Sequence, residues 1–374
     1  MPFKKMRFYL ALSLIINLLS AESVFGQVFP GDADNNGIVN NLDVLNIGYA
    51  LGTYGPSRLE TGAQPGTETF TILWSDYFPQ GLNFAFTDAD GNGWVNYLDI
   101  ATVSANYGSE NPNGSETVNF YPGIPGVHSP LYLDKSEVPD FPTEGSYFEI
   151  PVYLGSEDIP LESFQGIAFT IEYDPEFIAA IHFVPEEDSW INVGVGCFDF
   201  QGPESELGTK EIAISRNGMS AVAGHGKIGT LSLIVIDDLG TLLASPADSS
   251  NVIVNIRNIK SVNADFWSVP IVSDSVNLMI YGPEALPVGL SEPLGESIKL
   301  FPNPARNYFY IESEIPLTGL ELFNTLGECI LAQRIEERYF YEVRHLEKWS
   351  PGIYILRIHT EEGSLTKKVI IQRE

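Results

Sequence analysis

Two short segments repeat one twelve-residue pattern, and this repeat constrains the fold more than any other feature of the chain. Residues 32–43 (loop one) read DADNNGIVNNLD, and residues 88–99 (loop two) read DADGNGWVNYLD. In both, Asp or Asn fills positions 1, 3 and 5, Gly fills position 6 and Asp fills position 12. Alternate residues of a tight loop can direct oxygen atoms at one point, and glycine at position 6 permits the sharp turn. The pattern suits a hard divalent cation.

The repeated pattern predicts one Ca²⁺ ion in each loop, because Ca²⁺ takes about six to eight oxygen ligands. The three carboxylates of each loop would repel one another without a cation between them. An oxygen cage with every position filled leaves no place for a substrate, so we predict that the metal is not catalytic. Ile38 and Trp94 would contribute backbone carbonyls, and Asn40 would act directly or through water. The predicted ligands are Asp32, Asp34, Asn36, Ile38, Asn40 and Asp43 in loop one, and Asp88, Asp90, Asn92, Trp94, Asn96 and Asp99 in loop two.

A helical pattern follows each loop. Residues 42–51 and 98–107 carry apolar side chains at helical spacing, so each segment is predicted to be a helix. At position 8 of the loops, Val39 and Val95 are expected to pack the paired loops together. The predicted apolar faces are Leu42, Leu45 and Tyr49 in the first helix, and Leu98, Val103 and Tyr107 in the second.

This repeated loop and helix, with Asp at position 12, resembles the dockerin module of cellulosomal proteins over residues 27–110. The resemblance implies calcium-dependent folding and docking to a cohesin on another protein. The loops begin 56 residues apart, much further than in a compact dockerin, and the added segment 55–86 contains a strand-like run at 69–74. Positions 10 and 11 hold Asn41–Leu42 and Tyr97–Leu98 in place of the usual Ser/Thr pairs. A purely structural use of calcium therefore stays open.

Charge is distributed unevenly along the chain. Residues 27–296 hold 7 Lys/Arg against 37 Asp/Glu, whereas residues 297–374 hold 10 against 11. The acidic part would repel phosphates, so we predict no binding to nucleic acid. The change in composition indicates separate modules with different roles.

The first 26 residues have the pattern of a signal peptide. Lys4, Lys5 and Arg7 form a basic start, and residues 8–19 form an apolar stretch too short to span a membrane. Small residues follow, and we predict cleavage after Gly26 with Gln27 as the mature N-terminus. No later run is apolar enough to cross a bilayer, so the mature chain is predicted to be exported without a transmembrane segment.

The two cysteines, Cys197 and Cys329, lie on opposite sides of the change in charge. A disulfide between them would tie two modules together. We predict instead two separate, mostly buried thiols.

The middle of the chain is predicted to be an all-β sandwich. Residues 111–128 are rich in Gly, Pro and Asn and are predicted to be a linker. From 129 to 282, short segments alternate between apolar and polar residues with turn residues between them, which is typical of a sandwich. The predicted strands are 147–154, 166–173, 211–215, 227–236, 251–259 and 276–281.

Three of these segments, GSYFEIPVYL, GIAFTIEYDPEFIAAI and GKIGTLSLIVI, resemble a cohesin-like domain in sequence and order. Several carbohydrate-binding modules share that sandwich, so the fold alone does not select a ligand. Aromatic residues could stack on sugar rings, although each could equally belong to the core. The candidates are Tyr173, Trp190, Phe198, Phe200 and Trp267.

After a second predicted linker at 283–298, residues 299–374 resemble the type A C-terminal sorting domain of the type IX secretion system of Bacteroidetes. This resemblance implies a small antiparallel β-sandwich that the secretion machinery of the outer membrane recognises as a sorting signal. The cargo is then released or held at the cell surface. The matching residues, in chain order, are Pro302-Asn303-Pro304, Leu322-Phe323-Asn324, Gly327, Gly352-Ile353-Tyr354 and Lys367-Lys368.

The sequence therefore predicts a multidomain, mainly β chain. It comprises a small α calcium-loop module of the dockerin or EF-hand type (27–110), a cohesin-like β-sandwich or jelly roll (129–282) and a small C-terminal β-sandwich (299–374). The sequence contains no Gly-x-Ser-x-Gly elbow and no Cys–His pairing in a suitable context, so we predict that the protein is not an enzyme.

The predicted function is calcium-dependent assembly of proteins at the cell surface. The partners would be surface proteins with a cohesin or a dockerin, including a second copy of this chain, together with the type IX secretion machinery. The alternative is a surface protein that binds polysaccharide and assists its breakdown, with calcium in a purely structural role.

Overall fold

The computed structural model describes residues 25–58, 69–111, 118–139, 141–203, 205, 207–236, 239, 242–243, 248–282, 298–324, 328–360 and 363–373. Within these ranges β-strands dominate and two α-helices occur, so the predicted mainly β fold is confirmed. The predicted signal peptide up to residue 24 and residues 283–297 of the second predicted linker lie outside the described residues.

Residues 25–111 form the loop–helix region. Strand β1 (Phe25–Val28) pairs antiparallel with β2 (Thr69–Ile72). Helix α1 (Asp43–Ala50) follows loop one and helix α2 (Tyr97–Asn106) follows loop two, each shifted by about one residue from its predicted bounds. The predicted cleavage position after Gly26 falls inside β1. Cleavage there would leave Gln27 and Val28 to pair with the partner strand.

The added segment between the loops supplies aromatic side chains to the core of the loop–helix region. Trp74, Phe78 and Phe84 are all buried. The rings of Phe78 and Phe84 lie 4.7 Å apart, and both contact Tyr49 of α1. The added segment therefore packs against α1.

Residues 118–282 form the sandwich region, which has two main antiparallel sheets and one further short pair of antiparallel strands. The four-stranded sheet has the order β3-β4-β11-β7, and the six-stranded sheet has the order β13-β12-β6-β9-β8 with β14 also on β12. Strands β5 and β10 pair with each other. The bounds are β3 Leu131–Leu133, β4 Tyr147–Leu154, β5 Leu161–Phe164, β6 Gly166–Glu172, β7 Ile178–Pro185, β8 Cys197–Gln201, β9 Thr209–Arg216, β10 Val222–Gly224, β11 Gly226–Val235, β12 Ser249–Val262, β13 Ser268–Val269 and β14 Ser275–Tyr281.

The two sheets of the sandwich region share one hydrophobic core. Ile150 and Leu231 of the four-stranded sheet and Phe169 and Ile256 of the six-stranded sheet are buried together. Alternating residues of each strand face this core, because successive side chains of a strand point to opposite sides.

The C-terminal region, residues 298–373, has its own hydrophobic core and five strands. The five strands are connected by antiparallel pairing, and the predicted arrangement as a small sandwich stays a prediction. Two of them are long, and their pairing carries register shifts near Leu317, so both halves of each strand contribute to the same core. The bounds are β15 Ile298–Phe301, β16 Tyr308–Asn324, β17 Cys329–Arg344, β18 Gly352–Thr360 and β19 Gly363–Ile371.

The loop–helix region and the sandwich region also share a hydrophobic core. Leu45 of α1 is buried with Ala168 of β6, Ala213 of β9 and Val262 of β12. The first predicted linker contributes as well, since Gly123 N donates to Ile271 O at 2.8 Å, so residues 118–128 lie along the sandwich. Residues 112–117 of that linker lie outside the described residues. The first two predicted modules are thus joined by packing.

Candidate metal centres and the module interface

In loop one, the carboxylates of Asp32, Asp34 and Asp43 lie together. Each offers an oxygen atom within 4.8 Å of the others. The backbone of the loop orients them, because Asn36 N donates to Asp32 Oδ1 at 2.9 Å and Asn40 N donates to Asp43 Oδ2 at 2.8 Å. The three predicted acidic ligands are therefore brought to one place.

Loop two repeats this arrangement. Asp88, Asp90 and Asp99 again have oxygen atoms within 4.8 Å of one another. Gly93 N donates to Asp88 Oδ2 at 3.0 Å, and Asn96 N donates to Asp99 Oδ2 at 2.7 Å. The second bond belongs to a capping box at the start of α2, so the same residues begin the helix and shape the loop.

The other predicted ligands lie in the same loops. Four Asn side chains each accept from the backbone N–H two residues further on, at 2.8 Å, namely Asn36, Asn40, Asn92 and Asn96. The side chains of Ile38 and Trp94 are exposed, as expected for residues that would offer only a backbone carbonyl. The glycines at position 6, Gly37 and Gly93, have φ of 96° and 88°, a conformation that other residues rarely adopt.

The clustered carboxylates are shielded from solvent, and this burial raises the free energy of their charged forms. Burial is the main cause that raises the pKa of Asp32 and of Asp99 to about 7 and the pKa of Asp88 to about 6. Burial also raises the pKa of Asp34 and of Asp43. Groups so arranged favour a divalent cation, because the cation compensates the charges that burial disfavours.

One atom of loop two is an unsatisfied acceptor. Asp88 Oδ1 is buried and has no hydrogen-bond partner among the described residues. A buried carboxylate oxygen without a donor is uncommon, and a metal ion would satisfy it. The three clustered carboxylates of each loop are the type of ligand that Ca²⁺ takes, and the other ligands stay predictions.

A basic side chain lies beside each loop, and sequence analysis did not single out either one. Lys260 Nζ of the sandwich region is 3.9 Å from Asp34 Oδ2. Arg58 is buried beside loop two, where its Nη2 donates to Ala89 O at 2.6 Å. Lys260 is far from loop one in sequence, so only the fold brings the two together.

Helix α1 lies against the six-stranded sheet, and every residue of the helix is buried. Just before the helix, Asn41 Nδ2 donates to Phe169 O at 3.2 Å and to Ile212 O at 3.0 Å. One amide thus binds carbonyls on the neighbouring strands β6 and β9. Position 10 of loop one is therefore a contact point between the regions.

Gly48 allows the close approach of α1 to the sheet. A Cβ atom placed on Gly48 would lie 2.5 Å from Ser215 Cβ and 2.9 Å from Phe198 Cζ. Gly48 O also accepts from Gly218 N at 2.9 Å. Any side chain here would force the helix away from the sheet.

Helix α2 contributes the edges of the interface. Tyr97 lies edge-on to Phe198, with ring centroids 6.0 Å apart, and Tyr107 stacks on Phe200 at 5.7 Å. The hydroxyl of Tyr107 also donates to Glu211. Leu98, which we placed on the apolar face of this helix, is 59% exposed, so that part of the prediction was wrong. The contacts of Tyr97 and Tyr107 with the sandwich lie at the two ends of the helix.

The aromatic candidates for sugar stacking have different positions in the structure. Tyr173 and Phe200 are buried, and Trp190 packs on the core beside Phe164. Phe198 is partly buried against the loop–helix region. These four serve packing, and Trp267 alone among the candidates is largely exposed.

Both cysteines are free thiols, as predicted. Cys197 is half-buried, and burial raises the pKa of its thiol to about 11. Cys329 is exposed, so the prediction that both are mostly buried was wrong. Cys329 starts a strand of the C-terminal sheet and points out of its core.

Comparison with known families identifies the C-terminal region. Residues 299–372 match the model of the secretion system C-terminal sorting domain, which confirms the predicted sorting module. The domain implies a protein that is secreted or attached to the outer surface. Among the described residues, no helix is long and apolar enough to cross a membrane.

Solved structures with a similar fold include cohesin modules. A cohesin module from a family 33 glycoside hydrolase of Clostridium perfringens is 15% identical with a TM-score of 0.31, covering 41% of this chain and 97% of that chain. A non-cellulosomal cohesin from the archaeon Archaeoglobus fulgidus is 13% identical with a TM-score of 0.30, covering 42% and 94%. A chain of a type I cohesin–dockerin complex from Clostridium thermocellum is 12% identical with a TM-score of 0.32, covering 45% and 97%. No curated protein matches the sequence. With TM-scores near 0.3, these similarities do not extend to what this chain binds.

Proposed function

We propose that this protein is a secreted, non-catalytic surface protein that acts in calcium-dependent protein assembly. Its loop–helix region and its sandwich region would be the two members of one recognition pair. The observation that carries this proposal is the docking of α1 on β6 and β9, with Asn41 bound to two strand carbonyls and Gly48 against Ser215.

Calcium would act on this pairing through loop one. The carboxylate of Asp43 belongs both to the acidic cluster and to the first turn of α1. A Ca²⁺ ion held by Asp32, Asp34 and Asp43 would therefore fix the start of the helix that docks. Without the ion, repulsion among the three carboxylates opposes the same geometry.

In the structure, the loop–helix region and the sandwich region contact each other within one chain. The same surfaces could pair between chains if the intramolecular contact opened, so the partner in assembly would be a second copy or another surface protein with either module. The sorting domain at residues 299–372 would deliver the protein to the place where such partners meet.

The test is to cut the chain between the two regions. A site-specific protease sequence is placed within residues 112–117, and the purified full chain is cleaved and passed over a size-exclusion column. With Ca²⁺ we expect the two fragments to elute together, and with a chelator we expect them to separate. Fragments that separate in Ca²⁺, or that stay together in the chelator, would contradict the proposal.

The control for this experiment is the uncut protein with the same insertion. Its far-ultraviolet circular dichroism in Ca²⁺ should equal that of the unmodified chain. This comparison shows that the insertion itself leaves the fold intact.

A further inference from the structure

A cleft lies at the junction of the loop–helix region and the sandwich region, with a cavity volume of about 670 Å³. Four separate parts of the chain line it. They are loop one with α1, the added segment near Gln80, the stretch 118–121 and the turn that follows β12. The cleft therefore exists only when α1 is docked on the sandwich.

Two exposed aromatic side chains line this cleft. Trp267 and Tyr121 are 57% and 55% exposed, although large aromatic side chains usually bury most of their surface. Trp267 lies in the turn after β12, where its backbone N–H is held by Asn263 Oδ1 at 2.9 Å. The preceding Phe266 is buried, with its ring 4.9 Å from Tyr49 and 4.8 Å from Phe78. The exposed tryptophan is thus fixed by a buried neighbour.

The rest of the lining is rich in amides. Asn35, Asn46, Gln80 and Asn119 offer both donors and acceptors. Asn46 is 3% exposed, and its Oδ1 has no hydrogen-bond partner among the described residues. An unsatisfied buried acceptor beside a cleft is a place for a ligand hydroxyl to donate.

The charges at the cleft and in the surrounding chain indicate which ligands it can bind. Asp34 and Lys260 are the charged residues among those that line the cleft, and they lie 3.9 Å from each other. The surrounding chain is strongly acidic, so an anionic ligand would be repelled. Exposed flat rings, amides and near-neutral charge together fit a chain of uncharged sugars, because pyranose rings stack on aromatic faces and their hydroxyls bind amides.

We propose that this cleft binds a neutral polysaccharide, with Trp267 and Tyr121 stacking on sugar rings and Asn46 accepting a hydroxyl. This is a second activity beside assembly, and it uses the docked arrangement of α1 on the sandwich that the structure shows. Because the cleft is built from both regions, the release of α1 would dismantle it.

The test is affinity gel electrophoresis of the full chain in Ca²⁺, in gels that contain xylan, β-mannan, mixed-linkage β-glucan or hydroxyethyl cellulose. We expect retardation by at least one of these polymers. Trp267→Ala and Tyr121→Ala should each weaken that binding by about tenfold or more, as is typical of central aromatic contacts. Alginate and polygalacturonate serve as anionic polymers that should cause no retardation.

The matched control is Tyr339→Ala. Tyr339 lies in the C-terminal sheet and is 58% exposed, nearly the same fraction as Trp267. It is not among the residues that line the cleft. Its replacement should leave retardation unchanged. Equal melting temperatures of the variants show that folding is preserved.

Two results would overturn the proposal. One is the absence of retardation by every neutral polymer, and the other is retardation that Trp267→Ala and Tyr121→Ala leave intact. Both comparisons are made in Ca²⁺ on the uncut chain. They can therefore fail while the cleaved fragments still separate on chelation, and the two proposals are judged independently.

Discussion

The aspartates at position 12 show how closely single residues link the loops to the helices. Asp43 and Asp99 each close an acidic cluster and each lie in the first turn of a helix. The helices differ in their surroundings, since α1 is buried on the sandwich whereas only parts of α2 are buried. The same substitution in the two loops should therefore have different consequences.

We predict that Asp43→Asn and Asp99→Asn each lower calcium affinity in their own loop by at least about tenfold, since affinity depends on the number of charged ligands. Isothermal titration calorimetry should show two sites in the original chain and one tight site in each variant. Only Asp43→Asn should also weaken the association of the cleaved fragments, because its loop precedes the docked helix. Equal weakening by both variants would argue against a special role of loop one.

Gly48 offers a second test at the residue scale. Alanine favours a helix over glycine by about 0.5–1 kcal/mol, so Gly48→Ala should stabilise α1 by itself. The added Cβ would lie 2.5 Å from Ser215 Cβ, so docking should weaken nonetheless. We expect the cleaved fragments of Gly48→Ala to separate more readily in Ca²⁺.

The double variant Gly48→Ala with Ser215→Gly is the control for that clash. It removes the Cβ that alanine would meet, so association should partly recover. If the double variant associates no better than Gly48→Ala alone, contact with the Ser215 side chain is not what limits docking.

At the scale of elements, local sequence patterns predicted the positions of the helices and of a core strand. The two helices lie within about one residue of their predicted bounds. In loop two, the residues that end the loop, Asn96 and Asp99, also cap the helix. The strand at 147–154 was predicted with its observed bounds because its alternation is regular. Leu98 was misplaced, since helical spacing alone does not say which face a neighbouring region covers.

The burial of α1 leads to a prediction about exchange of its amide hydrogens. In Ca²⁺, residues 43–50 should exchange slowly, because the helix is enclosed by the sheet and the added segment. Chelation should accelerate exchange there and in β9, while β4 should keep its protection within the sandwich core. Mass spectrometry of exchanged peptides measures this directly, and unchanged exchange in 43–50 on chelation would contradict a calcium-dependent interface.

At the scale of the whole molecule, the order of the modules followed from composition, but their contact did not. The amide of Asn41 reaches carbonyls that are 128 and 171 residues away in sequence. No local pattern encodes such a pair. Trp267 was named as a candidate for sugar stacking, but the cleft beside it and the residues that the loop–helix region contributes were not predicted.

The C-terminal sheet should behave as a separate unit. Its core is distinct, and a contact with the sandwich joins Arg357 to Glu149 at 3.2 Å, between partly exposed side chains. Exposed ion pairs contribute about 0–1 kcal/mol. We therefore predict that Arg357→Ala shifts the melting temperature of the full chain by only about 2–4 °C, and that removal of residues 298–374 preserves the main unfolding transition.

Differential scanning calorimetry would resolve these transitions. A loss of the main transition on removal of the C-terminal sheet would show that the sorting domain supports the rest of the protein. A preserved transition fits a part that can be removed after export.

The docking of α1 within its own chain has a kinetic consequence. Only six residues, 112–117, connect Asn111 to Val118, and a short tether gives an effective local concentration in the millimolar range. A free competitor of equal affinity at much lower concentration would rarely displace the tethered helix. Exchange between neighbouring molecules would then be governed by how often the tethered contact opens, so crowding at the cell surface would matter less than the lifetime of the closed form.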